Sequence, residues 1–596
     1  MSLITIKNKV AKTIALAQRE YGVYKTQLFG LAILSLLSGL LEGIGINAII
    51  PIFSFINAGK SSPTDTISQV IENFFNFFHL LYTLKTLLIF IVILFLIKAA
   101  IAFITGYINA SIITRYQTTT RSKLFALVLK TDWSFLSRQK AGYLEQVLTT
   151  DVMNSSSLLA NVNNTIVLVA NLLIYLLLAV NISSFIAILT LVLGAVVFLF
   201  FKPLFHRNRV LSEQIEKMYK QMTHFVNQNM YGMKTVKATA VENVVKEEGD
   251  AQFEKIRYLN LRMDTVRNIS NSLIQPIGLI FIVAIFSFFY KLTSFNFASF
   301  AVIVYAINKV FSYTQVVQAQ LHSITSLLPY VINIDRYRSE AKNQKEKDVG
   351  EQDFSFQTQL EFKNVSFAYI ENVQTLSNIS FTLKKGEMVG VIGPSGAGKT
   401  TVVDLLLRLL EPKSGSILLD GTTIIDIRLA DWRTHIGYVS QDMFLINDTI
   451  ENNIKFYNPY LTQEDMFFAA KQANIYDFIE RQPKKFATII GDRGILISGG
   501  EKQRIILART LARKPEIIVL DEATSALDNE SEALIQQSIE NLKGNTTVII
   551  IAHRLSTIMA VDKLIALESG KITEHGVPQE LLKDKNSYFF RVFNLH

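Results

Sequence analysis

Apolar residues dominate the first 330 positions, and beyond them short β-branched runs alternate with helical ones. Runs of about 20 apolar residues match the hydrocarbon thickness of a bilayer. Six such runs are predicted as membrane spans, at roughly 27–57, 82–113, 162–181, 184–204, 271–291 and 296–320. NISS, between the third and fourth, leaves room only for a tight turn. About 48 residues separate the second span from the third, and about 66 separate the fourth from the fifth. Both stretches are polar and helix-patterned, with few breakers. At 1.5 Å per residue, a 20-residue extension of a span would project about 30 Å past the membrane. Short helices are expected where these extensions turn, around 141–151 and 231–243.

Between the first two spans, TDTISQVIENFFNFFHLL at 64–81 sets Ile67, Val70, Ile71, Phe74, Phe75, Phe78 and Leu81 at three-four spacing. A helix with that stripe would lie along the outer membrane surface or against the span ends. Periodicity alone also allows it to be the first turns of the second span. Residues 336–356 are charged and poor in apolar side chains, which predicts a linker. The expected organisation is a six-span α-helical transmembrane domain over 1–335, that linker, and a soluble α/β domain over 357–596.

Composition removes the reading that 596 residues make about four soluble domains, since 49% are hydrophobic and only 18% charged. Part of the net charge of +9 lies at the N-terminus, where Lys7, Lys9, Lys12, Arg19 and Lys25 face only Glu20. Excess Lys and Arg beside a first span marks the cytoplasmic side. Both long polar stretches are then cytoplasmic, and the outer loops carry only Lys60 and Lys291 as cations. No basic-aromatic stripe accompanies the charge, so no nucleic-acid partner is expected. The absence of cysteine excludes disulfides and thiolate metal sites. No short apolar core followed by a small-residue cleavage site opens the chain, so the first span is expected to be retained.

The candidate chemistry begins at VIGPSGAGKTT, an apolar run followed by the helical TVVDLLLRLL. Its Gly393 to Thr400 fit G-x-x-x-x-G-K-[ST]. Gly393, Ser395, Gly396 and Gly398 let backbone N–H groups face a β-phosphate, and the following helix adds its positive end. Lys399 neutralises the β- and γ-phosphates, Thr400 offers a hydroxyl to Mg²⁺, and Thr401 completes the nucleotide-facing set. IIVLDE, 517–522, is an apolar strand ending in Asp521 and Glu522. An aspartate there orders Mg²⁺ through water, and the adjacent glutamate polarises the attacking water. Ser498, Gly499 and Gly500 of ISGGEKQR open a helix whose N-terminus suits an anion.

Together these motifs resemble the ATP-binding cassette (ABC) family, with an α/β P-loop NTPase domain behind an exporter-type membrane domain. VSFAY is similar to the aromatic loop, which implies that Tyr369 stacks on adenine. VSQD resembles the Q-loop, so Gln441 is implied to sense Mg²⁺ and the γ-phosphate. ISGGE resembles the signature usually written LSGGQ, departing from it at Ile497 and Glu501. SALD resembles the D-loop with Asp528, and IAHR supplies the switch histidine, His553. GDRG, 491–494, falls where exporters carry a loop that touches the partner's intracellular helices. The resemblance is strong over about 350–590 and architectural over 1–335. It implies ATP and Mg²⁺, a catalytic set of Glu522, His553 and Gln441, and metal contacts from Thr400, Gln441 and Asp521. It also implies a homodimer, because in this family each ATP is enclosed by the P-loop of one cassette and the signature of another. Fusion in this order is that of exporters, here of a bacterial inner membrane with the cassette cytoplasmic.

LLEGIGINAIIPIF and the outer amphipathic segment resemble, more weakly, bacterial flippases for lipid-linked oligosaccharides. Lipid A, peptide and multidrug exporters stay open, as does an ATP-gated channel or regulator. Glu42 lies about 16 residues into the first span from inside and Lys98 about 16 into the second from outside, so both reach one depth. Lys309 sits mid-span in the sixth. An ionisable group at the bilayer centre costs at least ~2.5 kcal/mol, so these should face a cavity or a partner. In one reading Glu42 and Lys98 form a structural pair, with Gly39 and Gly43 allowing close approach. In the other, Lys98 and Lys309, doubled by a dimer, make a basic chamber for an anionic headgroup of an amphipathic or lipid-linked substrate.

Overall fold

Long apolar runs that pass into breaker-poor polar stretches become single long helices. The computed structural model describes residues 15–48, 51–52, 55, 66–139, 142–182, 184–289, 297–370, 373–521, 528–552 and 554–593. Packing divides the chain into two units, 1–131 with 138–345, and 132–137 with 346–596.

In the first unit the helices are α1 (Lys25–Asn47), α2 (Thr66–Phe77), α3 (Leu84–Val128), α4 (Val152–Ile182), α5 (Ser184–Tyr231), α6 (Met233–Ala238), α7 (Glu242–Phe289) and α8 (Phe297–Asn343). Helix α3 is 45 residues long. It starts at a capping box in which Thr83 and Thr86 satisfy each other's backbone N–H. Leu88, Ile89, Val92, Ile93 and Leu96 stay exposed on it, as a lipid-facing surface requires. Among the described residues, Ala15–Asn47, Leu84–Val128 and Tyr143–Leu177 are long and apolar enough to cross a membrane, and Pro276–Phe288 is a shorter apolar helix. Helix α8 continues to Asn343, into the charged stretch expected as linker.

The amphipathic segment is a helix of its own and not the start of the second span. Helix α2 ends at a turn through His79, whose φ is 54°, before the chain extends to the Thr83 cap. It buries Ile71 and Phe75 with Ala48 and Leu87, while Phe77, Phe78 and Leu81 remain exposed. Ile67 and Val70 belong to the same stripe, but their side chains fall outside the described set.

The turns expected to carry short helices do so, at Tyr143–Gln146 and in α6. A single π-turn, Val147–Asp151, leads into α4. Its buried Asp151 accepts a hydrogen bond from Asn333 of α8, and Arg336 donates to Asn333 Oδ1 at 2.7 Å. The N-terminal residues are tied to the same end of α8. Arg338 pairs with buried Glu20, and Arg19 lies 3.1 Å from Asp335.

In the second unit, β1 (Gln359–Ile370), β2 (Val373–Lys384), β4 (Ser414–Leu419) and β5 (Thr422–Thr423) form an antiparallel sheet in the order β2-β1-β4-β5. A six-stranded sheet has the order β10-β9-β3-β8-β7-β6. Its strands are β3 (Met388–Ile392), β6 (Ile436–Val439), β7 (Ile517–Asp521), β8 (Thr547–Ile551), β9 (Lys563–Glu568) and β10 (Lys571–Gly576). All pair in parallel except β10 with β9. Successive side chains of a strand point to opposite faces. Accordingly Ile518, Leu520, Val548 and Ile550 enter one core, and Ile517, Val519, Ile549 and Ile551 enter another. A sheet buried on both faces explains why these strands read as unbroken apolar runs.

Candidate functional site

Parallel pairing sends the carboxyl ends of β3, β8, β7 and β6 to one edge of the sheet. Ile551 of β8 pairs with Val391 of β3 on one side and Asp521 of β7 on the other. Val439 of β6 pairs with Leu520. The loop of Gly393 to Gly398, buried Asp521 and the stretch holding Gln441 therefore leave the sheet at one crevice, where open α/β sheets place their ligands. Glu522 and His553 follow β7 and β8 in the chain but lie outside the described residues.

The loop after β3 depends on glycine at 398, whose φ is 102° and where a Cβ would lie 2.6 Å from Leu376 Cδ2. Helix α9 (Lys399–Leu406) starts directly afterwards, bringing Thr400 and Thr401 into its first turn. The buried Lys399 ammonium donates to the carbonyls of Gly393 at 2.9 Å and Pro394 at 3.1 Å, so it is held over the loop. Tyr369, at the end of β1, places its hydroxyl 3.3 Å from Thr401 Oγ1. The predicted adenine platform and phosphate loop thus meet.

Sequence reasoning missed Asp404, one turn further along α9. Burial and then the charge of Asp521 push its carboxyl up to about 6. Burial likewise raises the Tyr438 phenol, with Asp521 the next cause. Thr400 and Asp521 are hard oxygen donors of the kind Mg²⁺ takes. Among the described residues no group of three His, Cys, Asp or Glu could hold a metal alone. Mg²⁺ usually combines one or two protein oxygens with substrate phosphates and water.

Ser498 caps α10 (Gly499–Leu511) in a reciprocal box: its hydroxyl accepts from Glu501 N at 3.3 Å, and Glu501 Oε2 accepts from Ser498 N at 2.7 Å. The unusual Glu501 thus fills the N3 position of a capping box. The other departure, Ile497, packs on the neighbouring apolar core. Gly500 lies against Ser531, and a Cβ there would be 2.2 Å from Ser531 Oγ. Ser531 also donates its N–H to Asp528 Oδ2 at 3.0 Å, which holds that carboxyl below its usual range. Asp528 caps α11 (Asn529–Glu540) through this bond, so Ser531 joins the two motifs. Asp492–Gly494 form a short 3₁₀ turn before the exposed Ile495 and Leu496. Arg509, also missed, donates to the carbonyls of Asn453 at 2.7 Å and Phe444 at 2.8 Å, with its guanidinium 4.3 Å from the Phe456 ring. It ties the stretch after Gln441 to α10.

The membrane unit brings its three candidate residues together. Lys98 Nζ lies 2.8 Å from Glu42 Oε2 and Lys309 Nζ 3.3 Å from Glu42 Oε1. Tyr305 donates to the same Oε1 at 3.1 Å. The glycines act differently from expectation. Gly39 faces α4, where a Cβ would meet Asn171 Oδ1 at 3.0 Å, and the close approach to α3 is made at Gly45, where a Cβ would lie 2.9 Å from Phe95 Cε2. Gly43 is buried.

The family described as ABC transporter transmembrane region matches residues 28–315, and that described as ABC transporter matches 376–525. An ATP-dependent lipid A-core flippase of Haemophilus influenzae is 32% identical over 502 residues, covering 82% of this chain and 84% of that one. The chain belongs to the ABC transporter family. A second ATP-dependent lipid A-core flippase, of Syntrophus aciditrophicus, is 29% identical over 516 residues, covering 84% of each chain. A solved bacterial Atm1-family ABC exporter with ATP bound shares the fold at a TM-score of 0.79 and 22% identity, covering 96% of this chain and 99% of that one. As an ABC transporter, this protein is a multi-pass membrane ATPase that couples ATP hydrolysis to transport.

Proposed function

We propose that this ABC transporter is an exporter-type half transporter that works as a homodimer and flips an amphipathic lipid from the inner to the outer leaflet. The lipid would be a lipid-linked oligosaccharide or a related phospholipid. The observation that carries this reading is likeness over most of the chain to proteins named as lipid A-core flippases, at 32% identity over 502 residues. Six long helices, α1, α3, α4, α5, α7 and α8, each cross once, in a membrane domain over 1–335. A linker over 336–356 leads to the cassette over 357–596. The Lys- and Arg-rich N-terminus places both the N-terminus and the cassette in the cytoplasm of a bacterial cell, at its inner membrane.

At each ATP, Tyr369 stacks on adenine, and Gly393, Ser395, Gly396 and Gly398 turn their N–H groups to the phosphates. Lys399 meets the β- and γ-phosphates as a point charge. Thr400, Asp521 and Gln441 would hold Mg²⁺, which would supply charge neutralisation to the phosphates. Glu522 orients the attacking water and His553 contacts the γ-phosphate. Ser498, Gly499, Gly500 and Asp528 complete the site of the second copy, which accounts for one P-loop and one signature per chain.

The test is reconstitution in proteoliposomes with a fluorescent phospholipid. ATP-dependent arrival of the lipid in the leaflet opposite the cassettes, absent in Glu522→Gln, supports the reading. ATP hydrolysis without lipid movement across a panel of lipid headgroups would overturn it.

A further inference from the structure

Arg504, in the second turn of α10, is 6% exposed, and its Nε and Nη1 are buried without a hydrogen-bond acceptor. Such a guanidinium is costly, because its hydration is lost and nothing replaces it. It lies directly behind the signature, where a Cβ on Gly500 would be 3.5 Å from Arg504 Nη1. Burial draws its pKa down, and the charges of Glu501, Asp528 and Glu530 hold it up. These three carboxylates stand at the N-terminal ends of α10 and α11. Glu501 and Asp528 accept from backbone N–H groups, and among the described residues none of the three forms a salt bridge. Glu532, further into α11, is paired with Arg554. Lys502 points elsewhere: its Cε would lie 3.2 Å from a Cβ on Gly494. A helix N-terminus contributes only about half a positive charge, too little to offset three carboxylates. The excess is sharpest at 501, where the signature usually written LSGGQ has a neutral amide and this chain a carboxylate.

We propose that Arg504 is a positioning residue of the signature, its buried charge offsetting Glu501 so that Ser498, Gly499 and Gly500 accept the γ-phosphate of the ATP held by the other copy. A guanidinium suits the task because it stays charged even when desolvated. Its bare N–H groups follow from the same role, since a carboxylate bonded to them would cancel the field that the signature presents. Arg504 touches no nucleotide itself and acts through the helix N-terminus in front of it. The inference rests on the reading of an ATP site shared between two copies, and it adds the group that sets the charge of the signature half.

The chain has no cysteine, so Lys571→Cys at an exposed cassette position carries a single spin label that reports closure of two copies. The parent is the full chain in nanodiscs with Lys571→Cys and Glu522→Gln, titrated with ATP. The ATP concentration for half-maximal closure should rise about tenfold, or about 1.4 kcal/mol, in Arg504→Met. It should stay near the parent's in Arg504→Lys and return towards it when Glu501→Gln accompanies Arg504→Met. Glutamine also fits the capping box, so that rescue reports charge and not helix stability. The gap between Arg504→Met and the parent should narrow as KCl rises from about 0.05 to about 0.5 M, because salt screens exposed charges. ADP, which lacks the γ-phosphate, should bind all variants alike, and ADP binding that weakens in step with closure overturns the proposal. A defect that neither Glu501→Gln nor salt relieves also overturns it and leaves the guanidinium a space-filling role. If Arg504→Met does not fold, Glu501→Gln alone decides: closure at less ATP than the parent needs supports the proposal, and no change overturns it. A parent that binds ATP without closing defeats the shared-site reading. A parent that closes, with Arg504→Met closing at the same ATP concentration, defeats this inference alone.

Discussion

The Tyr369 hydroxyl lies 3.3 Å from Thr401 Oγ1, a contact that joins residues 32 apart in the chain. It stands the half-exposed ring beside the first turn of the helix that follows the phosphate loop. Stacking a base on an aromatic ring contributes about 1–3 kcal/mol by alanine substitution. Tyr369→Ala should weaken binding of a fluorescent ATP analogue by that amount, and Tyr369→Phe should retain most of it. If the phenylalanine variant were as weak as the alanine one, the hydroxyl contact and not the ring face would be the functional part.

Glu522→Gln should stop turnover while ATP still binds, since shape is kept and the water-orienting carboxylate is lost. Lys399→Ala should instead weaken binding itself, because the ammonium held over Gly393 and Pro394 is the cation of the loop. Equilibrium binding and phosphate release, measured on the same preparations, separate the two. Near wild-type hydrolysis by the glutamine variant would show that another group orients the water.

Gly500→Ala should disrupt the junction between the signature helix and α11. The added Cβ would lie 2.2 Å from Ser531 Oγ and 2.4 Å from its Cβ. Overpacking of this kind costs typically about 1–3 kcal/mol. A fall in ATPase rate of about tenfold is expected, with ATP binding to the P-loop preserved. Ser531→Gly removes both clashing atoms and should restore much of the activity in the double variant. Failure of that rescue would mean that position 500 matters for the nucleotide and not for its contact with Ser531.

Asp404 should make the cassette's stability depend on pH. Its folded-state pKa of about 6 lies above that of an unfolded aspartate, near 3.9. The folded protein thus holds this proton more tightly than the unfolded chain does. The resulting stability is fully present below the unfolded pKa and is lost as pH rises through about 6. With EDTA and no nucleotide, Asp404→Asn should melt above wild type near pH 8, and the gap should close towards pH 5. A gap constant across that range would assign the effect to packing and not to charge.

Local pattern carried much of the cassette. β3 and α9 are adjacent in the chain, so an apolar strand, a glycine turn and a helical run specify the phosphate loop without help from distant residues. The same locality made the helices readable, and α5 and α7 are 48-residue helices that each join an apolar run to the polar extension expected of it. Asp404 and Arg509 were not legible. Each sits on a helix face like many others, and only burial against distant strands or loops gives the carboxyl its raised pKa and the guanidinium its carbonyl partners.

The sequence by itself determined that Glu42, Lys98 and Lys309 lie deep in apolar runs, because depth follows from a fixed rise per residue. It left two readings, a structural pair or a pair of lysines facing a chamber. The tertiary structure decided that one carboxylate meets both lysines, that Gly45 and not Gly39 admits α3, and that α2 stands apart from the second span. Depth is a one-dimensional property that periodicity encodes. The rotation of one helix against another, which chooses the facing side chains, depends on packing among residues hundreds of positions apart.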